Sequence, residues 1–142
     1  MVNFDKIATR FEMIGRYIKI LRHLSLTDSE TFLTDPVLIG SMRYYLQVSI
    51  ECCLDVASHV ISSEKFRAPK DYADTFSVLE EEKIITPELT HRLRQMAKFR
   101  NRLVHLYGEI DDRAVYLIAG DNLSDIEEFK TAILNRFPPP KS

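Results

Sequence analysis

Within FRNRLVHLYG, residues 99 to 108, an arginine, an asparagine, a histidine and a tyrosine stand at Arg100, Asn101, His105 and Tyr107. An imidazole that titrates near neutrality can take or give a proton. A guanidinium can hold an anion through two parallel N–H bonds. The segment reads as the end of a helix, with Gly108 placed to stop it after about Tyr107. On such a helix Asn101 and His105 are four apart and share a face, and Arg102 is also a neighbour of His105. Arg100 and His105 are five apart, about 140° around the axis, so one straight helix does not stack them. If both act on one substrate, the site is completed by reach at the helix end or by a second subunit.

The helix that must position these groups starts at Thr86-Pro87-Glu88, a capping threonine, a proline suited to the first turn, and an acid where the helix dipole favours one. On a wheel of ~100° per residue, Leu89, Leu93, Met96, Leu103 and Val104 lie within about 60° of one direction, and Arg100 falls in the same stripe. A guanidinium on an apolar stripe has to be paired, because an unpaired buried charge is very costly. Glu51 and Asp55, on the helix before, are the candidate partners. The stretch HRLRQMAKFRNR carries Arg92, Arg94, Lys98, Arg100 and Arg102 with no acid among them. By composition alone such a cluster is read as a solvated helix face.

The remaining pattern is helical throughout. Phe4, Ile7, Phe11, Ile14, Ile18 and Leu21 recur at helical spacing, with Asn3 as the N-cap. LSLTDSETFLTD breaks the pattern with turn residues. Asp35-Pro36 opens a long helix through Leu38, Met42, Leu46, Cys53, Val56 and Val60, and FRAPKD ends it at Pro69. Asp71 opens a short helix with Tyr72, Phe76 and Leu79, and Asp111 caps DRAVYLIA. Gly120, Asp121 and Asn122 interrupt that segment before a capping box, Ser124 to Glu127, starts the last helix. The expectation is an all-α, antiparallel bundle of about five to six helices, one domain over 1–137 and a tail over 138–142.

The 142 residues are 45% hydrophobic and 28% charged, with a net charge of −2. That balance is unlike the overall basicity of a typical nucleic-acid binder. No apolar run nears the ~20 residues that span a bilayer, and MVNFDKIATRFE has no signal-peptide core, which points to a cytoplasmic chain without a membrane partner. Cys52 and Cys53 are adjacent, so they cannot form a C-x-x-C clip and read as reduced, buried thiols. A metal site from His59, His91 and His105 is disfavoured, since the last two lie about 20 Å apart along one helix. Neither metal nor cofactor is expected.

Arg100 to Tyr107 resembles the R-x-x-x-x-H-x-Y motif of HepT-like toxins in the HEPN-domain family. IECCLDVASHVI, with Asp55 and His59, resembles that family's second helix. FRAPKDYADTFSVLEEEKIITPEL resembles its middle segment and IDDRAVYLIAGDNLSDIEEF its acidic closing one. The resemblance covers nearly the whole chain. It implies an all-helical homodimer in which two motifs face one cleft, and metal-independent cleavage of RNA. His105 would be general acid/base and Arg100 the phosphate and transition-state stabiliser. Asn101 would orient the histidine or the phosphate, and Arg94, Lys98 and Arg102 would hold the RNA backbone. It also implies a nucleotidyltransferase antitoxin that adenylylates Tyr107. The alternative from another class is a non-catalytic helical partner of such a nucleotidyltransferase, which needs neither Arg100 nor His105.

Overall fold

The computed structural model describes residues 1–141, with the side chain of Tyr107 outside the described part. Seven α-helices follow one another: α1 (Phe4–Leu24), α2 (Ser29–Leu33), α3 (Pro36–Ser63), α4 (Tyr72–Glu81), α5 (Pro87–His105), α6 (Asp112–Asp121) and α7 (Leu123–Arg136). Five of the starts lie at the capping residues the sequence marks. The side chain of Asn3 accepts from the Lys6 amide, Asp35 from Val37, Asp71 from Asp74, Thr86 from Leu89, and Asp111 from Arg113. Each bond satisfies one amide that the first turn of a helix otherwise leaves without a partner, worth about 1 kcal/mol.

The departures have local causes. α2 lies in the segment expected to be only turn. Asp28 caps it by accepting from the Thr31 amide at 2.9 Å, and Phe32 anchors it in the core. α3 stops at Ser63, well before Pro69, because Lys65 turns left-handed at φ 58°. The Phe66 amide then reaches back to the Ile61 carbonyl at 3.0 Å. α5 ends at His105 rather than Tyr107, and Gly108 is not the stop. Leu106 terminates the helix, a 3-10 turn covers Tyr107–Glu109, and no glycine has a positive φ. α6 runs through Gly120 and Asp121. The Ser124 capping box does not form: Asn122 precedes the first residue of α7, Ser124 is already inside the helix, and Asp125 is buried. Asp125 accepts instead from Arg92 Nη1 at 2.6 Å.

Helix directions follow from the contacts. Asn3 meets His59, Arg10 meets Asp55 and Tyr17 meets Tyr45, so α1 and α3 are antiparallel. Arg94 meets Ser77 while Arg100 meets Tyr72, so α4 and α5 are antiparallel too. With α4 folded back between them, α3 and α5 run the same way. At 28 residues α3 is the bundle's axis, about 42 Å long. Its Met42, Leu46, Ile50, Cys53, Ala57 and Val60 are buried. Cys52 and Cys53 are free and buried, and burial pushes both thiols above their ordinary range. α7 closes the far side, its Phe129 packed edge-on against Phe76 of α4 with centroids 5.7 Å apart. No helix among the described residues is long and apolar enough to cross a membrane.

Candidate active site

Arg100 is the one cation on the apolar stripe of α5, between buried Leu93 and Met96 on one side and buried Leu103 on the other. Its side chain keeps only 15% of its exposure. Three neighbours hold the guanidinium. Nη2 donates to Glu51 Oε1 at 3.3 Å, Nη1 donates to Asn101 Oδ1 at 3.2 Å, and Cζ lies 5.0 Å from the centroid of the Tyr72 ring. Buried Nε has no partner among the described residues. With one hydrogen of Nη1 and one of Nη2 engaged, the guanidinium keeps donor capacity for a further anion.

Of the two carboxylates expected as partners, Glu51 is the one that reaches Arg100. Asp55 does not. It faces α1, where Arg10 Nε lies 3.4 Å from its Oδ2, with both side chains about half exposed. A pair so wet contributes at most about 1 kcal/mol. Asp55 lies one helical turn, about 6 Å, further along α3 than Glu51, and there its neighbour is Arg10 of α1, a contact that only the packed bundle creates.

Asn101 and His105, on the same side of α5, line a cleft of about 470 Å³ with Ser58 of α3, Pro69, Lys70 and Asp71 of the loop, and Tyr72 and Thr75 of α4. His105 is the last residue of α5 and is exposed. Arg100 reaches the cleft's edge through Tyr72 and Asn101, both of which line it. The geometry therefore brings Asn101 and His105 into one cleft and sets Arg100 against Asn101 and Tyr72 at its edge. The amide oxygen of Asn101 is turned to the arginine, accepting from its Nη1.

The other basic residues divide. Arg92 is neutralised by Asp125 and Glu128 of α7. Arg94 is half-buried and donates to Ser77 Oγ at 2.6 Å. Lys98 and Arg102 stand exposed on the outer side of α5. The Tyr107 side chain lies outside the described residues. Its segment, between His105 and α6, is fastened by Arg43 of α3, which donates to the Ile110 carbonyl at 3.2 Å and to Asp112 Oδ1 at 2.8 Å.

His59 lies apart from His105. Its Nε2 accepts from the Asn3 amide at 2.9 Å. Burial, Lys6 and the N-terminal ammonium all hold its pKa below the ordinary value. It lines a second cleft, of about 540 Å³ between α1 and α3, with Lys6, Arg10, Asp55 and Ser58. That cleft is the larger, but it holds none of the R-x-x-x-x-H residues.

Tyr72, Ser58, Lys70 and Thr75 are cleft residues that the sequence pattern does not announce. Only Tyr72 carries a signal, as an aromatic at the first position of a helix, where a side chain tends to be exposed.

The family model described as ribonuclease HepT-like matches residues 14–133. The mRNA nuclease HepT of Shewanella oneidensis is 30% identical over 125 residues, 88% of this chain and 93% of that protein. The tRNA nuclease HepT of Aphanizomenon flos-aquae is 32% identical over 113 residues, 78% of this chain and 76% of that one. Among solved structures, a tri-AMPylated Shewanella oneidensis HEPN toxin in complex with its MNT antitoxin superimposes with a TM-score of 0.86. Identity there is 30%, over 92% of this chain and 98% of that one.

Proposed function

Because the chain belongs to the HepT-like ribonuclease family, we propose that it is the toxin of a toxin–antitoxin pair and a metal-independent endoribonuclease acting in the cytoplasm. The observation that carries this reading is Arg100: a nearly buried guanidinium held by Glu51, Asn101 and Tyr72, the last two of which line a cleft together with His105.

The reaction needs a proton removed from a ribose 2′-hydroxyl. The 2′-oxygen then bonds to the adjacent phosphorus, the P–O5′ bond breaks, and a proton goes to the departing oxygen. The products are a 2′,3′-cyclic phosphate and a 5′-hydroxyl. Arg100 takes up the charge that builds on the non-bridging oxygens. One imidazole suits either proton transfer. In a site that takes Arg100 from one chain and His105 from the other, that imidazole accepts the 2′-hydroxyl proton and returns it to the departing O5′. Lys98 and Arg102, with Arg94 behind them, then contact flanking phosphates without reading sequence.

Regulation enters at Tyr107. A nucleotidyltransferase partner joins the tyrosine oxygen to the α-phosphorus of a nucleoside triphosphate, and pyrophosphate leaves. The added bulk and negative charge, two residues from His105, exclude the RNA phosphate by contact and by repulsion.

The test is induced expression of the native chain beside His105→Ala, scoring growth and intact cellular RNA. His105 is exposed at a helix end, so the variant keeps the fold. Arrested growth and cut RNA with the native chain, both relieved in the variant, are the expected result. Equal growth and equal RNA integrity would overturn it and leave a non-catalytic partner of the nucleotidyltransferase. Coexpression with that enzyme should add a nucleotide mass to the Tyr107 peptide; an unmodified peptide rejects the regulatory part alone.

A further inference from the structure

Tyr72 is placed differently from the other apolar residues of α4. It follows the capping Asp71 directly and is 48% exposed, whereas Ala73, Phe76, Val78 and Leu79 are buried. The ring nevertheless has a fixed role, because the Arg100 guanidinium lies over it at 5.0 Å from the centroid. It also walls the cleft that Asn101 and His105 line, with Pro69 nearby. A ring has two faces, and Arg100 covers one of them. A cleft of about 470 Å³ is within the ~300–1,000 Å³ typical of small-ligand sites.

We infer that Tyr72 is a stacking platform for an unpaired nucleobase of RNA, the base beside the phosphodiester that Arg100 and His105 hold. The inference rests on the ribonuclease reading and narrows its substrate class. A base can lie on a protein ring only when it has left its own stack, so the cleft takes single-stranded RNA, loops or ends rather than paired stems. The ring's π-face accepts any base, which gives grip without strong sequence preference. One side chain thus performs two tasks. It steadies the guanidinium on one face and registers the chain on the other, so the phosphate next to the stacked base arrives at Arg100.

The chain has no tryptophan, so Tyr72→Trp places a lone indole in the cleft. In a His105→Ala background, binding is read without cleavage. Two probes of equal length and charge are titrated: a short oligoadenylate and the corresponding abasic ribose-phosphate oligomer. Oligoadenylate should quench the indole and the abasic oligomer should not. With Tyr72 intact, oligoadenylate should bind about 5- to 100-fold tighter than the abasic oligomer, the weight of one stacked base. Tyr72→Phe should keep that ratio and Tyr72→Leu should erase it, leaving both probes at the abasic affinity.

A Tyr72→Leu variant that retains the ratio, or weakens both probes equally, overturns the inference and leaves the ring as a support for Arg100 alone. Failure of the ribonuclease reading looks different. In that case the native chain leaves cellular RNA intact and neither oligomer binds.

Discussion

At the scale of single residues, the site turns on how one guanidinium is kept charged in a largely apolar setting. Burying an unpaired cation costs several kcal/mol. Glu51, the Asn101 amide oxygen and the Tyr72 face offset that cost by surrounding Arg100 on different sides. Lysine at position 100 would keep the charge beside Glu51 but lose the planar contact with the ring and the paired N–H groups that fit a phosphate. Arg100→Lys is therefore expected to lower turnover on RNA by about 10²- to 10³-fold, the usual weight of a transition-state charge donor. Its melting temperature should fall by no more than a few degrees. Single-turnover cleavage set beside a thermal melt checks this, and cleavage within threefold of native rejects the two-pronged role. Much of this was legible beforehand. The wheel puts Arg100 on the buried stripe and so demands a carboxylate. Choosing Glu51 over Asp55 was not legible, because Arg10, which takes Asp55, comes from a helix 45 residues away in sequence. Tyr72 was hidden for a similar reason: its use comes from α5 folding back across α4.

At the scale of elements, five of the seven starts among the described residues were readable, and the stops were harder to read. A helix start announces itself by a side chain that accepts from its own first turn, and Asn3, Asp35, Asp71, Thr86 and Asp111 all do so. The stops of α3 and α4 depend on lysines in the left-handed region, Lys65 at φ 58° and Lys83 at φ 60°. Both follow one geometry, with Phe66 and Ile84 amides returning to the Ile61 and Leu79 carbonyls at 3.0 and 2.9 Å. Glycine is the usual residue at such a position, so a lysine gives the sequence no stop signal. A lysine there carries a steric cost that glycine would not. Lys65→Gly and Lys83→Gly should each stabilise the chain by about 0.5–1 kcal/mol after the greater entropy of unfolded glycine is counted. Chemical denaturation of each variant against native checks the sign, and a loss of stability in both would show that the lysine side chains make compensating contacts. α2 escaped notice because five residues are too few to display a helical period, although Phe32 holds it to the core.

At the scale of the molecule, one chain presents half of what the proposed chemistry needs. α3 and α5 run in the same direction, so Glu51 stands by Arg100 while Ser58 stands by the cleft of Asn101 and His105. On the outward side of α3, Tyr44, Gln47, Glu51, Asp55 and Ser58 follow at three- and four-residue steps, with Tyr44 54% exposed. This face adjoins the cleft through Ser58, and under the proposed pairing a second copy seated on it would bring its own motif near the first. A two-fold pairing has a consequence that a one-chain site lacks. In a dimer of Arg100→Ala with His105→Ala, a site built from one chain's arginine and the other's histidine is intact once and broken once. A site built within one chain is broken both times. Mixing the two inactive chains at equal concentration, after reversible unfolding together, makes about half of the dimers mixed, so about a quarter of native cleavage should return. Each chain refolded alone should remain inactive. Sedimentation of the native chain as a dimer is the matching physical measurement. A dimer whose mixed form stays inactive would keep the interface but place each Arg100 and His105 pair on a single chain, whereas a monomer that still cleaves RNA would remove the shared cleft altogether.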